Sequence, residues 1–288
     1  MIVDPVRPPR PGQSGGSDEP FFSRQERFAL VGSTNDVVRD WLAAGAPEVC
    51  LAVADEQSMG RGRSGRSWQA PPGAALLLSV GFRPSWLAPE RTWQLAAVVA
   101  LAMADAAEEV AVLRDRSIRL KWPNDLVVED GGPADPRAGT LRKLAGVLGE
   151  TDGLGSADPR AVVGIGIDAD WRPADFPAEL APAMTSLAEV SGGRPIDRAF
   201  LLDAFTARLE PRILALRGGR FDAGDWVTRQ VTTGRDIRLE GVAREEFVRA
   251  VGVDPRSGAL VVADPTCPGG ERSVVSGEVV HVRLAGPV

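Results

Sequence analysis

The run Gly60-Arg61-Gly62-Arg63-Ser64-Gly65-Arg66-Ser67-Trp68 sets three glycines and three arginines ahead of one indole. Glycine lets a backbone move and come close to a ligand. Arginine offers only donors and positive charge, which suit carboxylate and phosphate oxygens. Trp68 adds a flat apolar face for covering a ring. Together these residues describe a loop that is loose on its own and folds over an anionic ligand. The plainer alternatives are a solvated Arg-Gly turn or a nucleic-acid-binding tail. Such tails usually repeat, whereas this segment occurs once and lies between expected strands. The segment also matches GxGxxG, but that fingerprint needs a helix opening at the loop. Here Gln69-Ala70-Pro71-Pro72-Gly73 follows, which cannot propagate one. A Walker A loop is excluded, because no GK[ST] occurs in the chain.

A second candidate is Lys121-Trp122-Pro123-Asn124-Asp125, placed directly after an expected strand. Proline ends the strand and fixes the bend. That leaves Lys121 at the strand's end, where α/β folds commonly place ligand groups. Alone, the motif reads equally as an edge-strand lysine beside a turn. The chain holds 33 Lys plus Arg, and only Lys121 and Lys143 are lysine. A compositional bias toward Arg accounts for the scarcity and leaves Lys143 open between chance and function. The setting of Lys121 makes it the candidate, as a compact ammonium on a flexible stem.

Other chemistries find little support. The single histidine, His281, allows no confident His-based triad or cluster, and Cys50 and Cys267 form no CxxC pair. The two distant cysteines suit a reducing compartment. A net charge of −6 argues against a general nucleic-acid binder. No apolar stretch approaches the roughly 20 residues that span a bilayer, and the proline-rich N-terminus lacks an apolar signal core. The expectation is a cytoplasmic protein with no membrane and no DNA partner.

The elements that must hold these residues follow from periodicity. Residues 1–20 read as a disordered leader rich in Pro, Gly and Ser. Residues 32–45 predict a helix capped by Ser33 or Thr34, with Val37, Val38, Trp41 and Leu42 on one face and Gly45 as its stop. Residues 49–57, 74–82, 117–122, 143–150 and 161–168 predict strands, and residues 92–110 an Ala-rich buried helix. Residues 130–139 read as a polar turn. Residues 196–219 predict an amphipathic helix that Pro211 kinks or divides. From about residue 232 short strands punctuated by Gly, Pro and Asp suggest a small barrel of about 55 residues. The organisation expected is a leader (1–20), a main domain (21–231) and a small C-terminal domain (232–288).

In combination the motifs become specific. GRGRSGRSW (60–68), KWPND (121–125), KLAGVL (143–148) and VGIGI (163–167), in this order and spacing, resemble the biotin protein ligase family. Ser33-Thr34-Asn35 and Gln57, three residues before Gly60, match as well, and the resemblance covers roughly residues 25–285. It implies an α+β fold: a mixed sheet flanked by helices, related to class II aminoacyl-tRNA synthetases, followed by an SH3-like β-barrel. It implies two steps, in which biotin and ATP give biotinyl-5′-AMP and the biotinyl group then passes to one lysine of a biotin carboxyl carrier domain. No helix-turn-helix pattern precedes the main domain, so the form without the DNA-binding N-terminal domain is expected. A homodimer is one expected assembly.

The resemblance also assigns roles. Lys121 and Arg63 are the implied catalytic residues. Biotin and adenylate contacts fall to Ser33, Thr34, Asn35, Gln57, Gly60, Arg61, Gly62, Arg63, Trp68, Lys121, Gly146 and Asp168. Ser33, Thr34 and Gln57 hold the biotin head group, Trp68 covers the adenylate and Gly146 lines the biotin pocket. Arg61, Arg63 and Lys121 supply the positive charge that lets a carboxylate attack the α-phosphate. Magnesium arrives with ATP, held mostly by phosphates, and its protein ligands are unknown. Asp168 departs from the family, which usually has Asn there. As an ionised carboxylate it offers acceptors only, a poor match to an adenine edge. Two rival readings remain. A lipoate ligase would carry an RRxxGGG-type motif, which is missing, and a non-catalytic biotin sensor fits poorly with Lys121 and three loop arginines all present.

Overall fold

Aliphatic runs and alternating segments build two sheets in the computed structural model, which describes residues 20–129, 140–241 and 245–281. The expected leader lies outside the described residues except Pro20, and so does the 130–139 turn. The first sheet contains β1 (Arg24–Val31), β2 (Cys50–Gln57), β3 (Ala75–Phe82), β4 (Ile118–Lys121), β5 (Asp125–Glu129), β6 (Leu141–Asp152) and β7 (Arg160–Asp168). Their order is β1-β2-β3-β7-β6-β5-β4. β1 and β2 run parallel and the other neighbours antiparallel, which makes the sheet mixed. The helices are α1 (Thr34–Ala43), α2 (Trp93–Val110), α3 (Leu187–Val190), α4 (Arg198–Arg217) and α5 (Ala223–Thr228).

The two faces of this sheet are covered differently. Leu95, Val99, Leu101 and Met103 of α2 are buried in one core with Leu76, Leu78, Val163 and Ile165. Val38, Trp41 and Leu42 of α1 form a smaller core with Cys50, Ala52 and Val162. Each such side chain contributes about 1.5–3 kcal/mol on burial, so the larger core dominates the hydrophobic stabilisation. The smaller one leaves part of its face for a cavity.

Local rules fix most boundaries, with instructive exceptions. Ser33 is the N-cap of α1, yet its side chain accepts no capping bond. The amide of Thr34 donates instead to Gln57 Oε1 at 2.7 Å, so a residue distant in sequence satisfies the helix end. Pro211 does not divide the 196–219 helix: α4 runs unbroken from Arg198 to Arg217. Pro211 is exposed, so water can satisfy the carbonyl left without its partner. β1 and β5, not expected from the sequence, gain their hydrogen bonds from expected strands: β1 from β2, and β5 from β4 and β6 on its two sides.

The second sheet comprises β8 (Asp236–Glu240), β9 (Glu246–Val253), β10 (Leu260–Ala263), β11 (Glu271–Val274) and β12 (Glu278–His281), all antiparallel, in the order β11-β10-β9-β8-β12. Among the described residues β11 and β12 do not pair, so the expected barrel is an open five-stranded sheet here. It is tied to the turn after β4 through Trp122, whose Nε1 donates to Gly258 O at 3.0 Å and whose amide donates to Thr232 Oγ1 at 3.3 Å. The connecting chain also extends edge strand β4: Leu120 N donates to Arg229 O, and Val231 N to Leu120 O, each at 2.8 Å. Arg229 is 1% exposed. Its guanidinium donates to Glu108 (2.9 and 3.1 Å) and to Asp105 (2.7 Å) on α2.

Candidate functional site

A cavity of about 590 Å³ opens between the exposed part of the β3-β7-β6 face, the 60–68 segment and the 171–184 segment. One end is polar and neutral. Thr34 and Asn35 at the start of α1 are 3% and 4% exposed, and Ser79 on β3 is fully buried. Thr34 Oγ1 donates to Gln57 Oε1 (3.0 Å), while Ser79 Oγ lies 2.7 Å from Thr34 Oγ1 and 2.5 Å from Asn35 Oδ1. Two hydroxyls carry two protons between three contacts. The cluster is therefore short of donors, and an N–H from a ligand finds an acceptor in it.

The floor is made of glycine. Gly146 on β6 faces Gly166 on β7 across the ladder, and Trp68 lies on both. A Cβ at Gly146 would stand 3.2 Å from Trp68 Cζ3, and one at Gly166 only 2.5 Å from Trp68 Nε1. Only bare backbone lets the indole rest there. The segment carrying Trp68 is a small hairpin: Arg61 bridges Ser67, Trp68 N donates to Gly60 O at 2.9 Å, and Gly62 N to Arg66 O at 2.6 Å. The expected loose loop thus has a backbone ladder of its own. Gly60 does not line the cavity; its role is steric, since a Cβ would fall 2.3 Å from Trp68 O.

The cation that reaches the floor is Lys143. Its Nζ lies 2.7 Å from Asp125 Oδ1 and 5.4 Å from the centroid of the Trp68 ring. A β-bulge puts it there. Leu126 pairs with Ala145 but Val127 pairs with Lys143, so Leu144 is the extra residue on β6. Leu144 and Ala145 both join the large core, and Lys143 is returned to the face of Gly146. Strict alternation from Gly146 would have buried it. Lys121 is placed otherwise. It ends edge strand β4, two strands from β6, and does not line the cavity. Arg63 and Arg66 line it. Arg61 lines it too, but its guanidinium is engaged bidentately by Asp36. Ser33, Gln57 and Gly62 complete the predicted residues found on the wall. The sequence left Lys143 open between chance and function; its signal was its place in KLAGVL within a chain of only two lysines.

Asp168 follows Gly164 and Gly166 by alternation, on the cavity side of β7. It is fully buried, and among the described residues neither carboxyl oxygen has a hydrogen-bond partner. Burial pushes its carboxyl well above the ordinary 3.8, opposed by the charge of Lys143. Burial therefore favours its protonated form, which has one donor and one acceptor, where the ionised carboxylate expected from the sequence has acceptors only. Trp171, stacked on Phe176 at 4.3 Å, walls the neighbouring part of the cavity. Among the described residues no group of three His, Cys, Asp or Glu forms a metal centre, and no helix is long and apolar enough to cross a membrane.

A mixed sheet with a polar pocket, a glycine floor and a lysine at its centre defines a class, and comparisons identify it. Residues 28–168 match the model of the Biotin/lipoate A/B protein ligase family. The chain is similar to a Biotin–[acetyl-CoA-carboxylase] ligase of Mycobacterium tuberculosis, 32% identical over 259 residues and 88% of each chain. It is also similar to the corresponding ligase of Paracoccus denitrificans, 31% identical over 78% of this chain and 88% of that one. Among solved structures, a biotin protein ligase from Aquifex aeolicus in complex with biotin and ATP superposes with a TM-score of 0.71. It is 26% identical and covers 91% of this chain and 100% of its own. The chain belongs to the Biotin/lipoate A/B protein ligase family, on its biotin protein ligase branch.

Proposed function

We propose that this chain joins biotin to ATP and passes the biotinyl group to a lysine of a biotin carboxyl carrier domain, in the cytoplasm. The observation that carries the reading is the order of groups along one cavity. The donor-poor cluster of Thr34, Gln57, Ser79 and Asn35 matches a ureido ring, which brings two N–H donors and one carbonyl. The glycine floor and Trp68 suit the fused ring and its apolar chain. Lys143 then stands where a carboxylate and an α-phosphate must be brought together. A carboxylate oxygen attacks the α-phosphorus, the bond to the β-phosphate breaks and pyrophosphate leaves. An acceptor amine next attacks the acyl carbon, losing a proton as AMP departs. Both steps develop charge that fixed cations stabilise.

The volume supports this, falling within the roughly 300–1,000 Å³ of small-molecule sites. Magnesium in this reading rides on the nucleotide's phosphates. Exchange of labelled pyrophosphate into ATP tests the proposal. It should require biotin, and lipoate should not replace it. Equal exchange with lipoate would overturn the assignment.

A further inference from the structure

Asn35 is held at both ends of its amide. Its Oδ1 meets Ser79 Oγ at 2.5 Å, and its Nδ2 donates to Glu150 Oε2 at 2.6 Å. Gly164 makes the room for this, because a Cβ there would fall 2.2 Å from Asn35 Oδ1. Glu150 is on β6, on the face of Gly146 four ladder pairs further along. The same Oε2 lies 3.2 Å from Arg61 Nη2 and 2.8 Å from Arg39 Nη2. Arg61 also forks onto Asp36, with Nη1 to Oδ2 at 2.7 Å and Nη2 to Oδ1 at 2.8 Å, and Arg39 Nη1 meets Asp36 Oδ1 at 2.6 Å.

Two acids and two arginines thus form a neutral clasp that joins the first turn of α1, strand β6 and the base of the Gly60–Trp68 hairpin. The four side chains are 28–43% exposed, and ion pairs so exposed add little to stability. Their directions matter more. A bidentate Arg–carboxylate pair fixes geometry, and here it fixes the residue from which the hairpin springs.

We propose that Glu150 is a positioning residue that couples the polar end of the cavity to the hairpin over its floor. Glu150 turns the Asn35 carbonyl toward Ser79 and the ligand. It also holds Arg61, so the hairpin sits with Trp68 on Gly146 and Gly166. A ligand that reorders the Thr34–Ser79–Asn35 cluster therefore acts on the hairpin through one carboxylate. The inference rests on biotin as the ligand of that end only for its second arm.

The test uses the full chain and two variants. Glu150→Gln keeps an acceptor for Asn35 but loses the ion pair to Arg61, and Glu150→Ala loses both. The first arm maps tryptic cleavage after Arg63 and Arg66 by mass spectrometry, without ligand. Both variants should be cleaved about fivefold faster than the parent; equal rates would overturn the clasp whatever the ligand. The second arm measures biotin affinity by calorimetry. Glu150→Ala should weaken it about tenfold and Glu150→Gln by less than about threefold, because a hydrogen bond to Asn35 is lost only in the first. An unchanged affinity in Glu150→Ala overturns the coupling to the polar end. Absence of biotin binding in the parent chain would instead strike the proposed function and leave the cleavage result to judge the clasp. Should Glu150→Ala fail to fold, Glu150→Gln still decides the hairpin arm.

Discussion

Lys143 Nζ stands 2.7 Å from Asp125 Oδ1, and the two meet because β6 bulges at Leu144. Asp125 belongs to the KWPND turn and Lys143 to KLAGVL. The bulge therefore joins two sequence motifs into one site. It also decides which of the two lysines faces the cavity.

Lys143→Ala should lower biotin-dependent pyrophosphate exchange by about 10²–10³, the equivalent of roughly 3–4 kcal/mol of lost transition-state stabilisation. Lys143→Arg should rescue little, since a planar fork does not fit where a compact ammonium did. Lys121→Ala should stay within about threefold of the parent, because Lys121 does not line the cavity. The same exchange assay on all three variants checks this, and the opposite ranking would return the role to Lys121.

Asp168 gives a prediction with a definite sign. Its folded carboxyl titrates well above 3.8 because of burial. As pH rises past 3.8, the unfolded chain releases this proton while the folded chain keeps it. Folding stability attributable to the group is thus greatest at low pH and falls with rising pH until the folded group also ionises. Asp168→Asn removes that loss. The variant should melt higher than the parent at pH 8, with the difference closing toward pH 4; a pH-independent difference in melting temperature would refute the raised carboxyl.

The same raised carboxyl bears on nucleotide binding. A carboxylic acid, while it keeps its proton, presents one donor and one acceptor as an amide does. The effect of Asp168→Asn on the KM for ATP should therefore grow as pH rises and the acid ionises. An effect independent of pH would remove the group from the adenine edge. Steady-state kinetics with ATP varied at saturating biotin read it directly.

Gly166→Ala should be worse than Gly146→Ala. Its Cβ would enter to 2.5 Å of Trp68 Nε1, against 3.2 Å from Cζ3 for the other. The indole must leave the floor in the first case and shift by a few tenths of an ångström in the second. Biotin affinity by calorimetry should fall clearly for Gly166→Ala and slightly for Gly146→Ala. Equal effects would mean that Trp68 does not need the glycine floor.

Arg229→Met should cost about 3–5 kcal/mol, because it leaves the buried Glu108 carboxylate without its cation, whereas Asp105 keeps Arg212. Urea denaturation would measure it. A loss under about 1 kcal/mol would show that the cluster relaxes into water.

The sequence by itself determined the family, most strands and the residues of the polar end other than Ser79. Those signals are local or ordered along the chain. Strand periodicity can be read in a short window, and Ser33-Thr34-Asn35, Gln57 and the Gly60–Trp68 run match as written. The choice between Lys121 and Lys143 was not local. It depends on which strand lies at the edge and on one extra residue in β6, and a one-residue shift in a strand moves every later side chain to the other face. Arg61 read as a cation for a ligand because its sequence neighbours suggested an anion site; only folding brings Asp36 and Glu150 against it. Asp168 read as an ordinary carboxylate because a residue letter carries no burial. Its upward shift comes from the strands packed around it, since desolvation is a property of the tertiary structure.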